Sequence, residues 1–445
     1  MKRLLALLCA VLMVAALVGC VPAPSQVNQA TEAPEASGDA EPTELPEVTE
    51  PITLSVWYAV SGTSGEMFVD MAEAFDEAND LIDLELSYSG GSSDTATKVS
   101  AALLTNTMPD VALMYAGPLY TGGRGDYSIQ SLIEDEDFNA DDIYPGMWDY
   151  CTYMDGGVCA IPYGISTQVL YYNKDILAAA GVDMTNPPAT WEEFLNVCKQ
   201  CMEKGNVNNA DEFIGFEVSD APWLFKSMLM QNGCEIIENN EGEIVPIFND
   251  EAALEVANYW KSLVDEGVMP AGEHTNAENK FLAGNCAFIA ASSNRISRWP
   301  GSTEFEIGAI EMPSFTETRS LALGGNVLVI LTQDPQRVAA AWDFIKAMTT
   351  TDNITNFALS TGYLPIRKSS VESEQAQQAI EENEMYAVAF QQLDYTWSYV
   401  HFEQMGTMDI ELRNALNKIE KSAGGTVQEV LDDAVKNLQV EIDEG

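Results

Sequence analysis

The stretch TLSVWYAVSGTSGEMFVDMAEAFDEANDLIDLELSY, residues 53–88, decides the fold. Its first six residues are rich in β-branched and aromatic side chains, and its last seven alternate apolar with polar ones, so both ends predict strands. Between them, Met67, Met71, Ala74 and Phe75 recur at helical spacing. A strand, a helix and a second strand in this order predict a βαβ unit with a buried parallel sheet.

The same alternation continues along the chain. Residues 98–115, KVSAALLTNTMPDVALMY, predict a helix, a proline break and an apolar strand. Residues 326–332 predict another strand, and residues 338–348, VAAAWDFIKAM, predict another helix. Thr426 and Glu429 have the spacing of a capping box at the start of a last helix. The fold class is therefore α/β.

Length and charge narrow the architecture and the partners. The region 52–445 is longer than one hydrophobic core usually serves, which predicts two lobes. The formal net charge is −48, from 21 basic and 69 acidic residues. Such a field repels nucleic acids and anionic lipid surfaces, so neither is an expected partner. A neutral or cationic ligand is expected unless a local basic patch overrides the field.

The N-terminus has the pattern of an export signal. Lys2 and Arg3 precede an apolar run over residues 4–19, which has the length of a signal-peptide core and is short for a membrane span. The sequence LVGC, residues 17–20, resembles the lipobox of bacterial lipoprotein precursors. That resemblance implies a signal peptide over residues 1–19 and a lipidated mature N-terminus. An ordinary secretory signal cut nearby is the alternative.

A polar linker follows the signal. Residues 20–51 contain six prolines, seven acidic residues and no Lys or Arg. This composition predicts an extended, disordered segment that joins a lipidated Cys20 to the folded body. We therefore expect the protein at the extracytoplasmic face of the cell membrane, held by its lipid anchor.

Six cysteines remain after Cys9 leaves with the signal and Cys20 is lipidated. Asp155, Gly156 and Gly157 form a turn sequence between two of them, which predicts a Cys151–Cys159 disulfide in an oxidising compartment; the four others are left unassigned: Cys198, Cys201, Cys234 and Cys286. The CKQC sequence at 198–201 also fits a redox dithiol or half a zinc site. The chain has two histidines in all and no second CxxC, so a zinc site is disfavoured.

Enzyme motifs are missing from the sequence. It contains no GxGxxG after a strand, no phosphate-loop lysine motif, no HExxH and no GxSxG, so no cofactor or metal is expected. A secreted glycan hydrolase would need a convergent carboxylate pair, but 69 acidic residues make any spacing uninformative. The RGD tripeptide at 124–126 leaves an adhesin as another alternative.

Several stretches, in this order, resemble family 1 extracellular solute-binding proteins of ABC importers: LSVWY, MPDVALMY, IPYGISTQVLYYNKDIL, PATWEEF, ENKFLAGNCAFIAASSNR, LALGGNVLVI and STGYLPIRKS. The likeness covers nearly the whole body, and its nearest branch contains glycerol-3-phosphate-binding and sugar-binding proteins. It implies the type II periplasmic-binding-protein fold, in which two α/β lobes close on an interlobe cleft by a hinge. The expected lobes are 52–165 with 305–335, and 166–304 with 336–445.

The resemblance also implies the cleft residues. A sugar needs paired hydrogen-bond donors and acceptors for its hydroxyls and an aromatic plane for its ring face. The matching motifs place five residues in the first lobe and five in the second: Trp57, Ser61, Tyr115, Gly325 and Asn326, then Ser166, Trp223, Ser293, Arg295 and Tyr363. Core packing is the alternative for Trp57 and Tyr115, and Trp191 is interpreted as packing against its own helix.

Two departures from the glycerol-phosphate branch narrow the ligand. Ala116 stands where that branch has an acidic residue, and Gln404 stands where it has an arginine. Loss of the arginine removes a phosphate clamp, although Arg295, Arg298 or Arg413 could replace it. We therefore expect a monomeric, non-enzymatic receptor that delivers an uncharged mono- or oligosaccharide to a membrane permease. A receptor for glycerol-3-phosphate or a related polyol phosphate is the alternative.

Overall fold

The computed structural model describes residues 45–115, 129–153, 156–208, 210, 212–240, 243–272, 274–398 and 401–444. These residues lie within one compact unit, residues 32–445. Cys20, the signal, Ala116 and the RGD tripeptide lie outside the described residues.

The strands of the described residues, in chain order, are β1 (Ile52–Tyr58), β2 (Ile82–Tyr88), β3 (Val111–Met114), β4 (Ile161–Ser166), β5 (Gln168–Asn173), β6 (Ile214–Val218), β7 (Ile237–Asn240), β8 (Glu243–Pro246), β9 (Cys286–Ser292), β10 (Ile307–Ile310), β11 (Leu321–Ala322), β12 (Gly324–Ile330) and β13 (Thr396–Trp397).

The helices are α1 (Thr63–Ala78), α2 (Ser92–Thr105), α3 (Gln130–Ile133), α4 (Pro145–Cys151), α5 (Lys174–Ala180), α6 (Trp191–Lys204), α7 (Ala221–Gln231), α8 (Glu251–Asp265), α9 (Ala277–Leu282), α10 (Arg295–Arg298), α11 (Pro335–Met348), α12 (Thr351–Thr361), α13 (Lys368–Glu372), α14 (Glu374–Glu382), α15 (Glu384–Gln391), α16 (Met405–Glu420) and α17 (Val427–Glu444).

Two mixed sheets form the α/β architecture predicted from the sequence. The first sheet has the strand order β2-β1-β3-β12-β4, and the second has the order β10-β5-β9-β6. β1 runs parallel to β2 and β3, which confirms the predicted βαβ unit. The connecting helix α1 buries Phe68 and Ala72 completely, whereas the predicted face residue Ala74 is exposed. The helix is therefore rotated from the face that the spacing of the larger side chains indicated.

The C-terminal helix begins as its sequence predicts. The Thr426 amide donates to Glu429 Oε2 over 2.8 Å, and the Glu429 amide donates to Thr426 Oγ1 over 3.2 Å. These reciprocal bonds satisfy two amides that a helix start otherwise leaves without partners. The capping box therefore fixes where α17 starts.

The lobe division drawn from the sequence differs from the structure for one strand and two helices. β10, within the 305–335 segment assigned to the first lobe, pairs antiparallel with β5 in the second sheet. α11 and α12, assigned to the second lobe, pack beside the first sheet: the Phe344 and Phe68 rings lie 6.5 Å apart, and the Phe357 and Tyr163 rings 4.8 Å apart. The spacing of apolar residues predicts a strand or a helix but not the sheet on which it packs.

Three chain segments run between the sheets, and one buried side chain joins them. β4 of the first sheet passes into β5 of the second through Thr167 alone. Gln392, fully buried, donates through Nε2 to the Gln168 carbonyl over 3.1 Å and accepts from the Met312 amide over 3.3 Å. A single amide therefore links the segments that follow β4, β10 and α15.

Candidate functional site

A cavity of about 210 Å³, the first cavity, opens between strands of the first sheet and the helices α7 and α16. The β4, β11 and β12 strands form one wall, and α7 and α16 form the opposite wall. Its lining residues are Tyr115, Tyr150, Ser166, Asp220, Trp223, Lys226, Ala322, Leu323, Gly324, Gly325, Trp397, Ser398, Met405 and Asp409.

Backbone hydrogen bonds position the aromatic side chains of this cavity. Asp220 caps α7 by accepting from the Trp223 amide, so the indole projects from the first turn of the helix. Trp223 Nε1 donates to the Ala322 carbonyl over 2.8 Å. Tyr150 Oη donates to the Gly325 carbonyl over 3.1 Å. The rings are thus fixed while their apolar faces remain able to line the cavity.

Two glycines let the β12 backbone approach the cavity. Gly325 has a φ of 135°, and a Cβ there would collide with the Gly164 carbonyl oxygen. A Cβ on Gly324 would lie 3.2 Å from the Trp223 ring. Glycine therefore brings a peptide edge up to the ring without a side chain between them.

Charged side chains form the far end of the cavity. Lys226 Nζ donates to Asp409 Oδ1 over 2.7 Å, which makes a compensated ion pair. Asp220 has a weaker counterion, because Arg413 lies 3.8 Å from its Oδ1 and is 53% exposed. Burial raises the pKa of Asp220, while the Trp223 amide and the Arg413 charge oppose that shift. The side chain is nevertheless 45% accessible, since the cavity itself exposes it.

The chain is similar to known proteins over most of its length. The family model for bacterial extracellular solute-binding proteins matches residues 70–383, more than half of the chain. The chain belongs to this family. The sn-glycerol-3-phosphate-binding periplasmic protein UgpB of Salmonella typhimurium is 23% identical over 357 residues, which span 77% of this chain and 80% of that protein.

Two solved structures share the two-lobed fold of this solute-binding protein. The cyclic alpha-maltosyl-1,6-maltose binding protein from Arthrobacter globiformis has a TM-score of 0.76 at 22% identity and covers 89% of this chain and 100% of its own. UgpB from Mycobacterium tuberculosis, in complex with glycerophosphocholine, has a TM-score of 0.75 at 22% identity, covering 89% and 99%. The resemblance and the fold predicted from the sequence are confirmed.

Four of the ten predicted site residues of the solute-binding protein line the first cavity: Tyr115, Ser166, Trp223 and Gly325. The other six do not line it: Trp57, Ser61, Ser293, Arg295, Asn326 and Tyr363.

The six residues outside the cavity have other surroundings. Trp57 lies in β1 and packs half-buried against the core, and Ser61 is exposed. Arg295 donates to both carboxylate oxygens of Glu278, and Tyr363 stacks on Phe357 with ring centroids 5.7 Å apart. The two small polar residues are buried, with exposures of 0% and 2%: Ser293 and Asn326.

Sequence reasoning missed the charged wall of the solute-binding protein's cavity. Asp220 is the N-cap of α7, and Lys226 lies in its second turn. Asp409 belongs to α16 and is 183 residues later in the chain than Lys226, its partner. The N-cap position of Asp220, three residues before the selected Trp223, was a local signal that could have indicated one of them. No local signal predicts a partner so distant in sequence.

The predicted Cys151–Cys159 disulfide is not formed in the structure, where both residues are buried thiols. Thr152 and Val158 pair across the turn, as predicted, and the Cys159 amide donates to the Cys151 carbonyl over 3.1 Å. This makes the two cysteines a hydrogen-bonded antiparallel pair, the position in which facing side chains stand farther apart. The Cys159 thiol instead donates to the Cys151 carbonyl over 3.3 Å.

A second cavity, of about 200 Å³, lies farther along α16, towards its C-terminal end. Its lining residues are Ser219, Ala221, Gly272, His274, Thr275, Arg413, Leu416, Asn417 and Glu420. His274 Nδ1 lies 2.7 Å from Glu217 Oε2, and Nε2 lies 3.3 Å from Glu420 Oε1. Lys280 Nζ donates to Glu217 over 2.6 Å. Burial opposes protonation, but the two carboxylates outweigh it and raise the pKa of His274 to about 9.

Proposed function

We propose that this solute-binding protein captures a carbohydrate, a mono- or oligosaccharide without a phosphate group, in the first cavity and delivers it to an ABC permease. The observation that carries the proposal is the combination of four aromatic side chains with a glycine peptide edge in one cavity: Tyr115, Tyr150, Trp223 and Trp397, beside Gly324 and Gly325. Aromatic planes stack on sugar rings, and peptide groups hydrogen-bond to hydroxyls.

A polyol-phosphate ligand is the second candidate, because the relatives named above bind glycerol-3-phosphate and glycerophosphocholine. The charges of the cavity oppose it. Among its described lining residues, Lys226 is already paired with Asp409, and none is an arginine. Arg295, a candidate replacement clamp, is held by Glu278, and Arg413 lines the second cavity. A phosphate would therefore meet carboxylates without the bidentate guanidinium that it prefers.

A thermal-shift screen followed by calorimetric titration tests the proposal. The screen should compare neutral mono- and oligosaccharides with glycerol-3-phosphate and glycerophosphocholine. A ligand at about 100 times its Kd should stabilise the fold by roughly 2.7 kcal/mol. Binding of a phosphate compound, with no response to any sugar, would overturn the carbohydrate proposal in favour of the second candidate.

We also propose that a lipid on Cys20 anchors the protein at the extracytoplasmic face of the membrane. Within the described residues, no helix is long and apolar enough to cross a membrane. The lipobox residues and the acidic linker support an anchor at the other end of a tether. Fractionation tests this, because a Cys20→Ser protein that stays wholly with membranes would contradict it.

We propose a monomer that releases its ligand unchanged, in keeping with a family of binding proteins. Asp220 and Asp409 are the carboxylates of the first cavity. The ion pair of Asp409 with Lys226 and the helix-capping bond of Asp220 give both a structural role. Turnover of labelled oligosaccharides by the purified protein would contradict this part of the proposal.

A further inference from the structure

We infer that the first cavity selects a carbohydrate that carries a protonated amino group, and that Asp220 is the residue that recognises it. This inference rests on the proposed carbohydrate site and departs from the uncharged sugar expected from the sequence. The charged side chains that line the cavity differ in how close their counterions lie.

The Lys226–Asp409 pair contributes little net charge to a ligand. Its two charged atoms lie 2.7 Å apart, and the lysine side chain is 9% exposed. A charge-assisted hydrogen bond of this length satisfies both groups. A ligand in the cavity therefore meets a dipole at this position and not a free cation.

Asp220 is compensated far less well. Arg413 lies 3.8 Å from its Oδ1, beyond hydrogen-bond distance, and is 53% exposed, so solvent screens the pair. Arg413 lines the second cavity and is not among the described residues that line the first. Among the described residues, the side chain of Asp220 accepts the hydrogen bond of the Trp223 amide through Oδ1. Its Oδ2 is left for a donor from the cavity.

The surroundings of this carboxylate favour an ammonium group over a hydroxyl. Burial raises the pKa of Asp220 against the Trp223 amide and the Arg413 charge, in agreement with the long distance to its counterion. A cation from the ligand would supply a closer one. Trp223 lies in the first turn of α7, the helix that Asp220 caps. The face of an aromatic ring attracts a cation within about 6 Å. The formal net charge of −48 adds an attractive field at longer range.

Matched sugar pairs test the inference. Each pair has the same ring and differs in one group, a hydroxyl or an amine: glucose and glucosamine, galactose and galactosamine, mannose and mannosamine. Titration calorimetry at a pH of about 6 keeps the amine protonated, and low salt limits screening. A charge-assisted hydrogen bond is about twice as strong as a neutral one, so the amino member should bind roughly tenfold more tightly.

Two variants separate the role of Asp220 from the charge of the whole protein. Asp220→Asn retains an N-cap for α7, because asparagine caps helices as well as aspartate does, and should bring the affinity ratio of each pair close to one. Asp265→Asn removes an equal charge from an exposed pair with Lys261 on α8 and should leave the ratio unchanged.

The outcomes are distinguishable. Equal affinity for both members in the wild type, or a preference retained in Asp220→Asn, overturns the amino-sugar inference and leaves the carbohydrate function standing. If no member of any pair and no sugar of the wider screen binds to a cooperatively folded protein, the proposed function fails and the inference falls with it.

Discussion

The first and second cavities have nearly the same volume, about 210 and 200 Å³, yet they are built for different tasks. The first has aromatic planes, a glycine edge and a partly compensated carboxylate. The second has a buried cluster in which Glu217, His274 and Glu420 satisfy one another. Volume alone therefore does not mark a ligand site, because a cavity whose charges already have partners has little left to offer a ligand.

The two histidines of the chain repeat this contrast. Burial lowers the pKa of His401 to about 3, and nearby Lys226 acts in the same direction, so its imidazole is neutral. Its ring lies 4.9 Å from that of Tyr150 in the wall of the first cavity. His274, beside the second cavity, is protonated instead. One histidine packs as a neutral ring, and the other serves as the central cation of a stabilising network.

The largest expected effect is the removal of a buried carboxylate from the second cavity's cluster. Glu217 is completely buried and bonds to His274 and Lys280. Glu217→Ala should lower the free energy of unfolding by about 3–5 kcal/mol, because buried His274 loses the nearer of its two carboxylates and Lys280 loses its partner. Denaturant melts measure this loss. Glu266→Ala is the control, since it breaks an exposed pair with Lys199 and should cost about 0–1 kcal/mol.

Sugar affinity per folded molecule should stay the same in the Glu217 variant, if the second cavity has a structural role. A tenfold weaker Kd in a protein that still melts cooperatively would contradict the division between the two cavities.

The next effect is a loss of stability at alkaline pH. The pKa of His274 is about 9 in the folded protein and 6.5 without the fold, so its contribution is complete below about pH 6.5 and disappears as the pH rises through about 9. The loss should reach on the order of 3 kcal/mol. Urea melts from pH 6 to 10 measure it. In His274→Gln the slope over this window should flatten, and an unchanged slope would assign it to other groups.

Trp223 gives a smaller effect that belongs to binding. Trp223→Ala should weaken the Kd for the sugar about tenfold, or roughly 1.4 kcal/mol, because one stacked ring face is lost. Trp260, fully buried, is the matched control, and its alanine variant should cost about 3–5 kcal/mol of stability. Calorimetric titration and thermal melts compare the two. If Trp223→Ala lowers stability as much as Trp260→Ala with an unchanged Kd, Trp223 is a core residue.

The smallest effect should come from Lys226 in the first cavity. Lys226→Met leaves Asp409 without its ion pair, but that carboxylate is 34% exposed and can be hydrated. We expect a stability loss of about 1 kcal/mol, well below that of Glu217→Ala. Chemical denaturation of both variants in one buffer tests the ranking. Equal losses would show that the first cavity, too, depends on a buried ion pair for its stability.

The sequence predicts this molecule well where the signal is local. The alternation over residues 53–88 predicts β1, α1 and β2, and the Thr426–Glu429 spacing predicts the start of α17. It fails where residues with the same local pattern have different neighbours. Trp57 and Trp223 both follow short polar or strand-like stretches, but only Trp223 reaches the first cavity.

Contacts between distant residues decide the positions that a local pattern does not predict. Ser293 and Asn326 are small and polar, as ligand residues often are, yet each is buried by the packing of segments far along the chain. Cys151 and Cys159 flank the predicted turn, but Cys151 ends α4 and the Cys159 thiol donates to its carbonyl, a contact that the turn sequence does not predict. β10 has the composition of either sheet, and only its pairing with β5 assigns it.

The buried hydrogen bonds of Gln392 bear on how fast the two lobes can move apart. Because its one amide bonds to Gln168 and fixes the Met312 amide, the crossing segments cannot rotate separately without breaking a buried bond. We expect any opening of the lobes to break these bonds together, as one event and not as a series of small independent ones. A side chain remote from the ligand would thereby set how long a captured solute stays enclosed, independently of how tightly it is held.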